Sequence, residues 1–146
     1  MWSLSLVDNL PINVIDRARD GIPFVEIYFD QYTGDSSPMP IPGDAVYHVK
    51  DPTKLVTEDK HLVLVDNADC TLYELWSVDG PNTDGSWTVG SSAVFDFTSN
   101  ALRADETASS LASGLPFFAG IARADEMQAG AVNCALATPA TFTYEG

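Results

Sequence analysis

The sequence has little positive charge. Lys and Arg together number 7, Asp and Glu number 21, and the formal net charge is −14 at pH 7. A surface with this excess of carboxylates repels phosphate backbones and anionic bilayers. The composition therefore argues against nucleic acid and membranes as partners. The acidic residues are spread along the chain, which is typical of a solvating surface.

Long apolar segments and clustered metal ligands are also lacking. No run approaches the roughly 18 apolar residues of a membrane-spanning helix, and the N-terminus lacks the regions of a secretory signal. His48 and His61 stand apart in the sequence, and the cysteines do not have the spacing of a zinc site. No cofactor or metal is predicted. Cys70 and Cys134 either form one disulfide or remain buried thiols.

Strand patterns dominate what the chain does contain. Its 146 residues fit a single domain, 1–146, with one core. The segment FVEIYFD alternates, with Val25, Ile27 and Phe29 on one face and Phe24 on the other. Further strand-like runs are AVYHV, HLVLV, CTLYELWS, SWTV and SAVFDF. We therefore predict an all-β domain, either a jelly-roll-like β-sandwich or a distorted barrel.

Proline and glycine separate these runs. The segment GDSSPMPIPGDA, with its Pro-rich part at residues 38–42, predicts extended, irregular surface chain, because proline fixes φ and lacks a donor for a strand ladder. The segment DGPNTDG predicts a long loop that joins two strands as a hairpin. Short helices are expected at DETASSLAS, capped by Asp105 or Thr107, and at ARADEMQ, between Gly120 and Gly130.

An ordered set of longer motifs covers residues 21–136. These motifs are PMPIPGDA, HLVLVDNADCTLYELW, WTVGSSAVFDFTSNALR and SGLPFFAGIARADEMQAGAVNCAL. In this order they resemble a family of secreted, largely uncharacterised microbial proteins. The resemblance implies a secreted β-rich domain of a kind encoded beside polysaccharide-acting modules, and it implies no particular reaction. Family members carry His where this chain has Cys134, so a site that used that histidine would be absent here.

Carboxylates and aromatic residues on two of the strands predict a sugar site. In SAVFDF, Asp96 lies on the less apolar face, and in CTLYELWS, Glu74 and Trp76 share a face. If the strands are neighbours and both acids face one hollow, the two carboxylates could cleave a glycosidic bond at a separation of about 5–9 Å. The alternative is that Asp96 is solvated or bonded to a turn, and that the tryptophans anchor the core.

A second acidic group lies in ARADEM. Asp125 and Glu126 are adjacent there, with Arg103 and Arg123 available to keep one carboxylate ionised. The alternative is an inert exposed ion pair between Asp125 and Arg123. The candidates are Asp96, Glu74 and Asp125 for catalysis, and Trp76, Trp87, Asn100 and Arg103 for substrate binding.

Two acidic turns offer oxygen ligands of the kind that calcium accepts. One carries Asp79, Asn82 and Asp84, and the other carries Asp66 and Asp69. Neither has the ligand order of an EF-hand loop, so plain turns are favoured.

These patterns favour a secreted domain that binds a polysaccharide or oligosaccharide and that, in an enzymatic version, cleaves it. A function of a different class is also open. The chain could be a structural module of an extracellular homo-oligomer, in which strand edges and the Pro-rich segment contact other subunits.

Overall fold

The computed structural model describes residues 10–35, 38–48, 60–104, 107, 109–111, 113–132 and 136. Within these residues the chain forms strands and two short helices. The strands are β1 (Ile12–Ile15), β2 (Phe24–Val25), β3 (Ile27–Phe29), β4 (Met39–Pro40), β5 (His61–Asp66), β6 (Thr71–Trp76), β7 (Trp87–Val89) and β8 (Ser91–Asp96). The helices are α1 (Arg17–Asp20) and α2 (Ala124–Ala129), and a single 3₁₀ turn spans Phe118–Gly120.

The largest sheet has the strand order β1-β5-β6-β8. Strand β6 pairs antiparallel with both β5 and β8, whereas β1 runs parallel to β5. Leu62, Leu64 and Leu75 are fully buried on one face of this sheet. Val63 and Glu74 are fully buried on the other. The two central strands are therefore covered on both faces.

The main core lies between the leucine-bearing face of this sheet and two smaller sheets. Strand β2 pairs antiparallel with β4, and β3 pairs parallel with β7. The smaller sheets contribute Ile27, Met39, Trp87 and Val89 to the core. Sheets packed in layers around one core confirm the predicted all-β class.

Strands β5, β6, β7 and β8 lie where the sequence predicts them. The predicted strand FVEIYFD is divided at Glu26, whose carbonyl oxygen accepts a hydrogen bond from the backbone N–H of Trp87 at 3.0 Å. The strand predicted at AVYHV is wrong for its described residues 45–48, which form no strand, and Val49 lies outside the described residues. Val46 is instead held by the side-chain amide of Asn13, which donates to its carbonyl at 2.7 Å and accepts from its N–H at 2.9 Å.

The prediction of surface chain is wrong for the centre of the Pro-rich segment, although Pro38 at its start is exposed. Met39 and Pro40 form β4 and are fully buried, and Ile41 beside them is 2% exposed. Among the described strands β4 pairs with β2 alone, so the donor that Pro40 lacks costs no central ladder bond. Met39 and Ile41 therefore belong to the core, and contacts of this segment with other subunits stay a prediction.

The loop DGPNTDG closes on itself. Asp79 and Thr88 exchange two backbone hydrogen bonds of 2.8 and 2.9 Å. Strand β7 then pairs with β3, while β6 pairs with β5 and β8. The predicted turn is thus confirmed, but the prediction that it joins two paired strands is wrong.

The helix predicted at ARADEMQ is confirmed as α2, which ends at Gly130 with φ of 69°. The helix predicted at DETASSLAS is wrong for its described residues, 107, 109–111 and 113, which form no helix, and Asp105 lies outside the described residues. Helix α1 was not predicted. Asp16 caps it by accepting a hydrogen bond from the N–H of Arg19 at 2.9 Å, and Gly21 ends it at φ of 63°.

No helix in the described part of the chain is long and apolar enough to cross a membrane. Cys70 is exposed, and none of the described residues pairs with it in a disulfide. Cys134 lies outside the described residues, so a bridge between the two cysteines stays a prediction.

Gly34 packs directly on the backbone of Ser92. A methyl group at Gly34 would lie 2.6 Å from the Ser92 nitrogen and would overlap the Ser92 carbonyl oxygen. We expect Gly34→Ala to lower the free energy of unfolding by about 1–3 kcal/mol, measured by urea denaturation, because backbone atoms cannot move aside cheaply. Gly43→Ala is the control, since its added carbon meets nothing within 4 Å. A loss of the same size at Gly43 would contradict this explanation.

Candidate functional site

Strands β6 and β8 are neighbours, but their register separates the two candidate acids. Glu74 lies opposite Ala93, and Asp96 lies opposite Thr71. Glu74 and Thr71 are three residues apart on one strand, so they point to opposite faces of the sheet. The prediction that Glu74 and Asp96 face one hollow is therefore wrong.

Glu74 is a buried anchor for the segment that precedes α2. Its Oε2 accepts hydrogen bonds from Ser110 Oγ at 2.7 Å and from the N–H of Phe117 at 2.8 Å. Its Oε1 accepts from the N–H of Phe118 at 2.6 Å. Burial raises the pKa of Glu74, and these hydrogen bonds to the charged form oppose that rise. The carboxylate thus ties this segment to the second face of the sheet.

Aromatic rings cover the same region. The Phe117 ring lies 4.7 Å from the His61 ring, and the Phe118 ring stacks 6.3 Å from Phe97. The guanidinium of Arg123 lies over the Phe118 ring at 5.9 Å. Glu74 therefore sits beneath a packed aromatic layer.

Asp96 is exposed and bonded to the turn that follows β8. Its Oδ1 accepts hydrogen bonds from Thr98 Oγ1 at 2.6 Å and from the Thr98 N–H at 2.8 Å. The bond from the hydroxyl, followed by the bond from the N–H, lowers the pKa of Asp96. This is the turn-bonded alternative that the sequence left open.

Asp125 lies in the first turn of α2, and its side chain is 79% exposed. Its carboxylate is 3.7 Å from Nε of Arg123, whose Nη2 is 3.0 Å from the carboxylate of Glu126. Glu126 in turn accepts a hydrogen bond from the N–H of Arg123 at 3.1 Å. These contacts stabilise the start of the helix, and Arg103 does not take part in them.

Three of the four predicted sugar contacts lie away from a common site. Trp87 is 4% exposed and packs in the core, so its ring has no surface to offer to a sugar. Trp76 is partly buried and its ring lies 5.9 Å from that of Tyr32. Asn100 is exposed in the turn after β8.

Hydrogen bonds within the protein occupy the two acidic turns. Asp84 accepts from Ser86 Oγ at 2.6 Å and from its N–H at 3.0 Å, which lowers the pKa of Asp84. The buried Asp66 accepts from the N–H groups of Arg17 and Ala68 at 3.2 and 3.0 Å. Among the described residues, no group of three or more His, Cys, Asp or Glu side chains is placed to hold a metal ion.

Arg103 closes the outer edge of β8 together with Asp35. Arg103 Nη1 donates to Asp35 Oδ2 at 2.5 Å and to the carbonyl of Val94 at 3.2 Å. The N–H of Val94 donates to the same Oδ2 at 2.7 Å. One ion pair therefore satisfies both backbone groups that Val94 presents at this edge. The Arg103 guanidinium also lies over the Phe95 ring at 5.2 Å.

The chain after β3 delivers Asp35 to this position. It runs along β7 and β8, where the N–H groups of Asp30, Tyr32 and Asp35 donate to backbone carbonyls. Their acceptors are Val89, Gly90 and Ser92, at 3.2, 2.9 and 3.4 Å. The hydroxyl of Ser92 returns a hydrogen bond of 2.8 Å to the Asp35 carbonyl.

An open groove of about 650 Å³ lies beside the Asp35–Arg103 pair. Its lining consists of Phe24, Gly34, Asp35, Pro38, Tyr73, Val94 and Arg103. Phe24 is 52% exposed, and the Arg17 guanidinium lies over its ring at 5.1 Å. Tyr73 is 8% exposed, and burial raises the pKa of its hydroxyl. The groove thus combines an exposed ring with a phenol, a carboxylate and a guanidinium.

Arg103 is the one predicted site residue that lines this groove. Phe24 was missed, although the alternation of FVEIYFD places this aromatic residue on the polar face of its strand. Asp35 had no signal in the sequence, because its partner is 68 residues away.

No protein-family model, curated protein sequence or solved structure matches the chain. The family resemblance read from the motifs therefore stays a prediction, and the candidate site depends on its geometry alone.

The buried carboxylate of Glu74 leads to a pH-dependent prediction. Glu74→Gln replaces one acceptor oxygen with an NH₂ group that faces an N–H or hydroxyl donor. We therefore expect the free energy of unfolding in acidic solution to fall by about 1–3 kcal/mol. Burial raises the pKa of Glu74 in the folded state above its unfolded value of about 4.3. Protonation of Glu74 therefore stabilises the fold fully below the unfolded pKa, and this stabilisation is lost as the pH rises through the folded pKa. The advantage of the wild type over Glu74→Gln should therefore shrink as the pH rises.

Urea denaturation at a series of pH values from about 4 to 8 measures this difference. Glu26→Gln is the control, since Glu26 is an exposed glutamate between β2 and β3. A wild-type advantage that grows with pH would contradict the direction of the shift.

The Asp35–Arg103 pair should be energetically coupled. Its side chains are 33% and 15% exposed, and together they satisfy Val94. A double-mutant cycle with Asp35→Ala and Arg103→Ala should give a coupling energy of about 1 kcal/mol or more by denaturant unfolding. The Arg123–Asp125 pair is the matched control, with side chains 38% and 79% exposed. The coupling energy of this control pair should stay below about 0.5 kcal/mol. Equal coupling energies in the two pairs would contradict a stabilising role of the Asp35–Arg103 pair.

Proposed function

We propose that this chain binds carbohydrate in the groove beside the Asp35–Arg103 pair, without cleaving it. The observation that carries the proposal is the half-exposed ring of Phe24 in the same groove as a paired carboxylate and guanidinium. An exposed ring stacks on the apolar face of a pyranose and removes both surfaces from water.

The polar side chains supply partners for sugar hydroxyls. A hydroxyl both donates and accepts hydrogen bonds, and a carboxylate has about four acceptor sites. The described hydrogen bonds of the Asp35 carboxylate both go to Oδ2, which favours Oδ1 as the acceptor for a ligand. The hydroxyl of Tyr73 is a second candidate partner in the lining.

The size of the groove supports a ligand of one or two sugar residues. Its volume of about 650 Å³ lies within the range of about 300–1,000 Å³ that is common for small-ligand sites. Because the groove is open, a longer chain could extend from it at either end.

Binding without cleavage is proposed because glycoside hydrolysis normally uses two carboxylates that flank the bond. Asp35 is the single carboxylate among the described lining residues. Glu74 and Asp96 lie on opposite faces of the sheet, and Asp125 is on α2. Secretion, which the motif resemblance implies, would expose the groove to extracellular glycans.

Phe24→Ala should weaken binding of a soluble polysaccharide at least tenfold, because it removes the stacking surface. Affinity electrophoresis against a panel of soluble glycans identifies a ligand, and titration calorimetry then gives the dissociation constants. Tyr28→Ala is the matched control, since Tyr28 is 55% exposed on neighbouring β3 and does not line the groove.

Equal losses of affinity in the two variants would show that the groove is not the binding site, and no retardation by any glycan would refute the proposed function.

Light scattering on the same sample gives the mass in solution. That mass tests the second function predicted from the sequence, a module of a homo-oligomer.

A further inference from the structure

We propose that the groove selects uncharged glycans over uronic acids and amino sugars, an inference that rests on the proposed carbohydrate function. The size of the groove and its aromatic ring do not determine the charge of the sugar that binds, whereas the charged residues around the groove do.

The described residues of the lining carry no net charge. Among these seven residues only Asp35 and Arg103 are charged, and their charges have opposite signs. Their charged atoms lie 2.5 Å apart. At such a separation each group neutralises the field of the other over the distance to a ligand. A sugar in the groove therefore meets hydrogen-bonding groups without an excess charge of either sign.

Arg17, a second cation near the groove, is also paired with carboxylates. Arg17, whose guanidinium covers Phe24, forms ion pairs with Asp69 and Asp66. Its Nε lies 3.5 Å from Asp66 Oδ2, and the Asp66 side chain is fully buried. These three groups sum to one negative charge, so an acidic ligand gains no attraction from this side.

A uronic acid meets a carboxylate that is already in place. Its own carboxylate would approach Arg103 beside Asp35, which repels it and already accepts from Arg103 Nη1 and from the Val94 N–H. The net charge of −14 adds repulsion at long range. A neutral sugar meets neither obstacle.

An amino sugar faces the converse arrangement. Its ammonium group would approach Asp35 only beside the guanidinium of Arg103, which repels it. The overall negative charge attracts cationic polymers to the whole surface, but salt screens that attraction. In about 0.5 M NaCl the Debye length is about 4 Å, so binding specific to the groove can be measured separately.

The experiment compares pairs of oligosaccharides in which one member is neutral and the other is charged. Titration calorimetry in about 0.5 M NaCl pairs cello-, manno- and galacto-oligosaccharides with the corresponding glucuronides, mannuronides and galacturonides. N-acetylated chito-oligosaccharides are paired with their deacetylated forms. At least one neutral member should bind in a manner that depends on Phe24, and its charged counterpart should bind at least tenfold more weakly.

Asp35→Asn gives a second readout. The amide can still accept the hydrogen bond from Val94, but it no longer neutralises Arg103. For the sugar pair whose neutral member binds, this variant should bind the acidic member at least fivefold more tightly than the wild type does. An unchanged affinity would overturn the charge argument.

The remaining outcomes separate the two proposals. A charged oligosaccharide that binds as tightly as its neutral counterpart, with the same dependence on Phe24, overturns the selectivity and leaves carbohydrate binding intact. If no oligosaccharide binds, the proposed function and the selectivity both fail.

Discussion

Strand β6 lies between β5 and β8 and is covered on both faces, and this constraint determines what its side chains can do. A carboxylate in such a strand needs donors close by, and Glu74 has them in Ser110, Phe117 and Phe118. Tyr73, which precedes Glu74 on this strand, points to the opposite face and lines the groove. A single strand thus fixes the segment before α2 and supplies one wall of the candidate site.

The local content of the strands could be predicted from the sequence, but their pairing could not. The alternation in TLYELW and SAVFD assigns Glu74 and Asp96 correctly to a face within each strand. Whether those faces coincide depends on the register, and a shift of one residue reverses the answer. The same limit applies to β4, where the prolines suggested surface chain until its pairing with β2 brought Met39 into the core.

The candidate site was harder to predict because it is built across long sequence separations. Arg103 was predicted to bind substrate, yet its contacts in the structure are with Asp35 and with the edge of β8 at Val94. An isolated carboxylate and an isolated arginine carry no pattern that links them. Phe24 did carry one, as an aromatic residue on the polar side of an alternating strand, but its neighbours in the groove come from elsewhere in the chain.

The order of pairing in the sheets has a consequence for how the molecule assembles. Residues 67–70 join β5 to β6, and residues 77–90, which include β7, join β6 to β8, so these antiparallel contacts close comparatively short loops. The parallel partnerships β1–β5 and β3–β7 close much longer ones. A fragment that starts at residue 60 would keep the antiparallel trio and lose Phe24, Gly34, Asp35 and Pro38. The groove therefore forms only when the residues before and after residue 60 fold together, and it could not be transferred to another scaffold as one contiguous peptide.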